Sequence, residues 1–155
     1  MSRLLLVILF FFHTGAINAQ SVFPRNTFYI EAGGAGMHGS ISYERQLTAN
    51  PGFGVRTGVG FLLESGTYLS LPLGVNYLLP AEKENHYIDI GLNVTSLIKL
   101  RSSASGDLPD RVFVIPAVGY RIHSKKNVFF RVSLALAATH NHSTPWAGIA
   151  IGNVF

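Results

Sequence analysis

Six charged residues could share one site: Glu31, Glu44, Arg56, Asp89, Arg121 and Arg131. On extended backbone successive side chains point to opposite faces. Alternation with their apolar neighbours puts all six on the smaller, more polar face of their segments. Three acids against three arginines suit a paired network that fills an interior, because enclosed charges have to be matched. The same groups could also line a polar path for ions or a small solute. A second constellation is His140-Asn141-His142 followed by Ser143. Two imidazoles are too few for a zinc site, and no carboxylate lies nearby. A hydrolase reading needs a nucleophile, a base within hydrogen-bond reach and an acid to orient the base. No acid follows in the rest of the chain. Gly33-Gly34 and Gly36 precede no helical pattern, which argues against a phosphate loop and for close packing or bulging in a first strand.

The elements that would position these residues read as strands. Period-two alternation marks eight segments: 27–36, 39–47, 53–63, 67–78, 87–100, 111–122, 128–139 and 145–155. Each is near the roughly 9–11 residues a tilted strand needs to cross a bilayer. Turn chemistry separates them, as at Asn50-Pro51-Gly52 and from Ser124 to Asn127. In the fifth segment Ile88, Ile90, Leu92 and Val94 face one way, while Asp89, Gly91, Asn93 and Thr95 face the other. In the seventh, Val128, Phe130, Val132, Leu134 and Leu136 oppose Arg131, Ser133, Ala135 and Ala137. The bulky face is apolar and almost free of charge; Arg45 is the main exception, placed where it could snorkel. Phe28, Phe61, Tyr77, Tyr120, Phe130 and Phe155 fall on that stripe, as lipid contacts or interfacial girdles would.

This is the inverse of a soluble sandwich. It predicts an all-β, eight-stranded antiparallel up-and-down transmembrane barrel with a filled lumen, bulky side outward. Closure is required, since an open edge in hydrocarbon leaves unpaired backbone groups at several kcal/mol each. Pro72 and Pro116 remove ladder donors and are expected at bulges or strand ends. The opposite arrangement, stripe inward, would be a soluble lipid-binding barrel.

Composition agrees with dispersed alternation. Hydrophobic residues are 48% of the 155 and charged residues only 13%, with 16 glycines and no cysteine. The absence of cysteine excludes disulfides, thiolate metal sites and a lipoprotein signal. Arg3, the apolar run from Leu4 to Phe12 and Ile17-Asn18-Ala19 read as a secretory signal cleaved after residue 19, leaving 20–155 as one domain. Without Arg3, 11 basic and 8 acidic residues remain, a balance of +3 with no basic block, so nucleic acid is not an expected partner. With both termini periplasmic, the outer connections fall at 37–38, 64–66, 101–110 and 140–144.

The closing run Pro145-Trp146-Ala147-Gly148-Ile149-Ala150-Ile151-Gly152-Asn153-Val154-Phe155 resembles the terminal strands of small outer-membrane β-barrel proteins of Gram-negative bacteria, the eight-stranded OmpA/OmpX-like class, especially those of Bacteroidetes. Asn153 stands where members of that class often carry an aromatic. The resemblance implies Ile149, Ile151 and Phe155 as the barrel-assembly signal. It also implies periplasmic chaperones and the assembly machinery as partners during biogenesis, and outer-membrane lipids and lipopolysaccharide afterwards. The class includes structural proteins, adhesins and a few lipid-modifying enzymes. Its lipid A deacylases carry His and Ser two residues apart with an acid, whereas His142 and Ser143 are adjacent here.

The expectation is therefore an integral outer-membrane, porin-like barrel, monomeric, with no catalytic residue, metal or cofactor, acting as a structural or surface-exposed envelope protein. The alternatives are a narrow channel for ions or small solutes, a lipid A-modifying hydrolase or a soluble lipid-binding barrel.

Overall fold

The computed structural model describes residues 23–64, 66–102, 111–140 and 142–155. The proposed signal at 1–19, most of the 101–110 loop and Asn141 lie outside the described residues. Eight strands follow in order: β1 (Asn26–Gly33), β2 (Gly39–Gln46), β3 (Phe53–Leu63), β4 (Gly66–Pro80), β5 (His86–Ser102), β6 (Val112–His123), β7 (Val128–Ala138) and β8 (Ser143–Val154). Each pairs antiparallel with the next, and β8 returns to β1 through a register running from Thr27↔Val154 to Gly33↔Gly148. The sheet is a closed barrel, so no strand edge is left open along the wall.

The alternation decides what faces where. Leu73 and Leu134, on the outer face of β4 and β7, remain 64% and 67% exposed, and the same bulky stripe continues on every strand. The inward stripe facing of a soluble lipid-binding barrel is thereby overturned. Many inward positions are small or polar: Ser40, Ser42, Ser70, Asn76, Asn93 and Ser133 are buried. A narrow bore requires such residues, because long side chains from opposite walls need empty space beneath them. Gly91 is one case: a Cβ there would come within 3.4 Å of the Arg56 guanidinium.

Three local expectations are corrected. The first strand stops at Gly33, not at residue 36. Gly34–Gly36 form a single 3-10 turn whose residues are all buried. Gly33 and Gly34 have φ of 75° and 67°, the left-handed side that glycine adopts without a Cβ penalty, and this reverses the chain into the bore. The connection around 37–38 is therefore folded into the mouth of the bore rather than free, with His38 alone exposed. Met37 is 3% exposed and bridges Phe61. Finally, neither proline marks a bulge or a strand end. Pro72 sits opposite Thr95 and Pro116 opposite Leu92 in continuous ladders. On their other sides pairing lapses, between Thr57↔Leu73 and Gly60↔Ser70 and between Val114↔Ala138 and Ala117↔Ala135, and resumes in the same register. A missing N–H opens one ladder locally without shifting it.

The interior is layered. At the end away from the termini, Met37, Leu62, Tyr68, Leu97, Ile115 and Ala137 form an apolar cluster. Toward the termini, Tyr29, Phe129, Ala150 and Val154 form another. The charges lie between.

Candidate functional site in the lumen

All six charges proposed from the sequence point inward and are buried, Glu44 and Arg121 completely. Six strands bring them together: Glu31 from β1, Glu44 from β2, Arg56 from β3, Asp89 from β5, Arg121 from β6 and Arg131 from β7. Asp89 is the hub. Its Oδ1 accepts from Arg56 Nη2 at 2.8 Å and its Oδ2 from Arg131 Nη1 at 3.1 Å, and Arg121 Nη1 stands 3.7 Å from Oδ2. Arg131 Nη2 donates to Glu31 Oε1 at 2.7 Å. Arg121 donates to Glu44, which also receives Gln46 Nε2 at 2.9 Å and faces Arg56 Nε at 3.6 Å.

Arg121 and Arg131 are direct cross-strand partners on one face. Like charges so placed repel. They coexist because Asp89 and Glu44 sit between them and because aromatic faces lie beside both: Arg121 is 4.6 Å from the Phe129 ring centroid, and Arg131 is 4.9 Å from that of Tyr29. The count is three against three, so the layer as a whole is neutral.

Several members were not singled out in the sequence. Arg121 Nε donates to His123 Nε2 at 2.7 Å, and its Nη2 donates to Thr27 Oγ1 at 2.8 Å. Since a guanidinium has no lone pair to offer, His123 Nε2 must be the acceptor. His123 then stacks on Phe23 with ring centroids 5.6 Å apart and lies 5.0 Å from Tyr87, closing the terminal end. The signal was available for His123 and Gln46, each two positions beyond a predicted inward charge. No alternation could reveal the folded-in turn. There Ser70 Oγ donates to the Gly36 carbonyl at 2.8 Å and Thr95 Oγ1 to that of Ala35 at 2.7 Å, fastening the turn across the bore. Between this turn and the charges, a cavity lined by Glu31, Arg56, Asp89, Asn93, Arg131 and Ser133 leaves about 10 Å³ for the centre of a water molecule. That is room for about one water. Among the described residues, side chains fill the middle of the bore.

The remaining candidates lie elsewhere. His140 and His142 are exposed at the β7–β8 turn, where Thr139 N donates to the His142 carbonyl at 2.7 Å. Ser143 opens β8 opposite Ala138. Among the described residues no three His, Asp or Glu side chains cluster as metal ligands. Ile149, Ile151 and Phe155 face outward on the closing strand, and the Phe155 backbone exchanges hydrogen bonds with Asn26 at 2.8 and 2.9 Å.

No protein-family model and no curated protein matches the chain. Among solved structures it is similar to the N-terminal β-barrel domain of Pseudomonas aeruginosa OprF, with a TM-score of 0.63 and 15% identity over 86% of this chain and 100% of that one. It is also similar to the Yersinia pestis outer membrane protein Ail in a phospholipid bilayer nanodisc, with a TM-score of 0.53 and 12% identity over the same shares. At these identities the likeness shows the fold, that of eight-stranded outer-membrane barrels.

Proposed function

We propose that this chain is an integral outer-membrane barrel serving as a structural or surface-exposed envelope protein, with a plugged lumen and no catalysis. One observation carries the reading: the wall is inside out relative to a soluble protein. Its large apolar residues are exposed on all strands, while three arginines and three acids are buried in the bore. In water such a surface far exceeds the apolar patches soluble monomers tolerate. In a bilayer it is the solvated face, and the closed ladders satisfy the backbone.

The rest of the proposal follows from the sequence and the fold class. The segment 1–19 would direct export and be removed. Periplasmic chaperones and the assembly machinery would insert the barrel by reading Ile149, Ile151 and Phe155, leaving both termini in the periplasm and a monomer surrounded by phospholipid and lipopolysaccharide. A narrow channel is the second reading, favoured by the polar middle of the lumen. The neutral, interlocked charges and the folded-in turn weigh against it.

Fractionation with heat-modifiable gel migration tests the membrane reading; recovery as a soluble periplasmic protein would overturn it. Planar-bilayer recording tests the plug. Steady conductance steps that change with Arg56 or Arg131 substitutions would replace the structural role by a channel. A change in lipid A mass that depends on His142 or Ser143 would restore the enzyme.

A further inference from the structure

At the terminal end, two guanidinium groups stand on the β1·β2 wall outside any ion pair among the described residues. Arg25 precedes β1; its Nε and Nη2 donate to the carbonyls of Gln46 and Leu47, each at 3.2 Å. Arg45 is the cross-strand partner of Asn26 and is exposed on the outer face, in line with Tyr43 and Leu47 and beside Val55 on β3. Among the described residues neither arginine comes within ion-pair distance of an acid, whereas each lumen arginine has at least two. On the same outer face Tyr43 donates its hydroxyl to Asn26 Oδ1 at 2.8 Å, and the side-chain Nδ2 of Asn26 makes no hydrogen bond among the described residues. The surrounding rim is cationic as well, with Lys83, Lys125 and Lys126 against Glu82 and Glu84.

A lipid-facing guanidinium next to apolar residues reaches for the headgroup layer, where phosphate is the available counter-ion. Its planar fork matches two phosphate oxygens, and a tyrosine beside it suits the interface. A zwitterionic headgroup would also bring an ammonium group, to a rim where Arg25, Arg45, Lys83, Lys125 and Lys126 outnumber Glu82, Glu84 and the Phe155 carboxylate beside Asn26. We propose that Arg25, Arg45, Asn26 and Tyr43 form a binding site for the phosphate of an anionic phospholipid headgroup in the leaflet that meets the terminal end. The proposal rests on the membrane reading above and adds to it a leaflet, a headgroup charge and four residues.

Native mass spectrometry of the detergent-refolded barrel tests this, with phosphatidylglycerol and phosphatidylethanolamine at equal concentration and soluble glycerol phosphate as competitor. Phosphatidylglycerol should be retained preferentially. Arg25→Gln with Arg45→Gln should weaken its retention roughly thirtyfold, the loss of two basic side chains at an anionic surface. Lys125→Gln with Lys126→Gln, on the far sector of the rim, should leave it unchanged. Undiminished retention in the arginine pair, or equally effective competition by glycerol phosphate, overturns the site. Heat-modifiable migration of each sample separates the two readings. A folded barrel that retains neither lipid refutes the headgroup site alone; a chain without heat-modifiable migration refutes the membrane barrel, and the site with it.

Discussion

Replacing Asp89 by Asn keeps the shape of the lumen's hub and removes one of its three negative charges. Arg56 and Arg131 then lose the carboxylate they contact at 2.8 and 3.1 Å, and three guanidiniums face two acids in a closed bore. A pair of unit charges 4 Å apart is worth about 4 kcal/mol at an effective dielectric near 20. Removing one partner of a buried pair costs about 3–5 kcal/mol. The predicted loss for Asp89→Asn is therefore roughly 3–5 kcal/mol, a large share of a typical total of about 5–15 kcal/mol. The structure makes a sharper prediction for the double variant. Arg56→Met together with Asp89→Asn leaves two complete pairs, Glu31 with Arg131 and Glu44 with Arg121, both already in contact. About 2–3 kcal/mol should be regained relative to the sum of the two single losses, the upper part of the roughly 0.5–3 kcal/mol coupling range for residues in one network. Urea titration of barrels refolded in vesicles, followed by the fluorescence of the single tryptophan and by gel migration, measures both quantities. If Asp89→Asn stays within about 1 kcal/mol of the parent, or the double variant merely adds the single losses, the lumen is not held by charge matching.

Leu134→Arg, on the exposed outer face, should destabilise the vesicle-embedded barrel by about 2–4 kcal/mol if its position is near the bilayer midplane; a soluble barrel would change by no more than about 0.5 kcal/mol. Gly33→Ala should lose about 1–3 kcal/mol in the same titration, because φ 75° with ψ −152° is essentially glycine-only backbone, and its Cβ would run into the Ala147 carbonyl oxygen. Removing Phe155 should lower the amount of folded barrel recovered from outer membranes while leaving refolding of the purified chain in detergent intact; unchanged membrane recovery would refute its role as an assembly signal.

Much of this molecule is local in origin. Strand number, the outward face and the inward direction of Glu31, Glu44, Arg56, Asp89, Arg121 and Arg131 all follow from period two, which each segment displays by itself. The same parity reaches His123 and Gln46 once β6 and β2 are allowed their last residues. Which acid meets which arginine is a different matter. Glu31 and Arg131 are 100 residues apart, and Glu44 and Arg121 are 77 apart. Their meeting depends on the register and stagger with which β8 closes on β1, a property of the whole ring that no segment contains. The folded-in turn is also tertiary. Gly33-Gly34 and Gly36 permit a reversal, but its direction is decided by what waits inside: the Ser70 and Thr95 hydroxyls for its carbonyls, and the Leu62–Tyr68–Leu97 pocket for Met37. The sequence alone determined the wall of this barrel, because alternation is read residue by residue. Only closure decided how its interior is packed, because filling a bore depends on side chains arriving together from opposite sides.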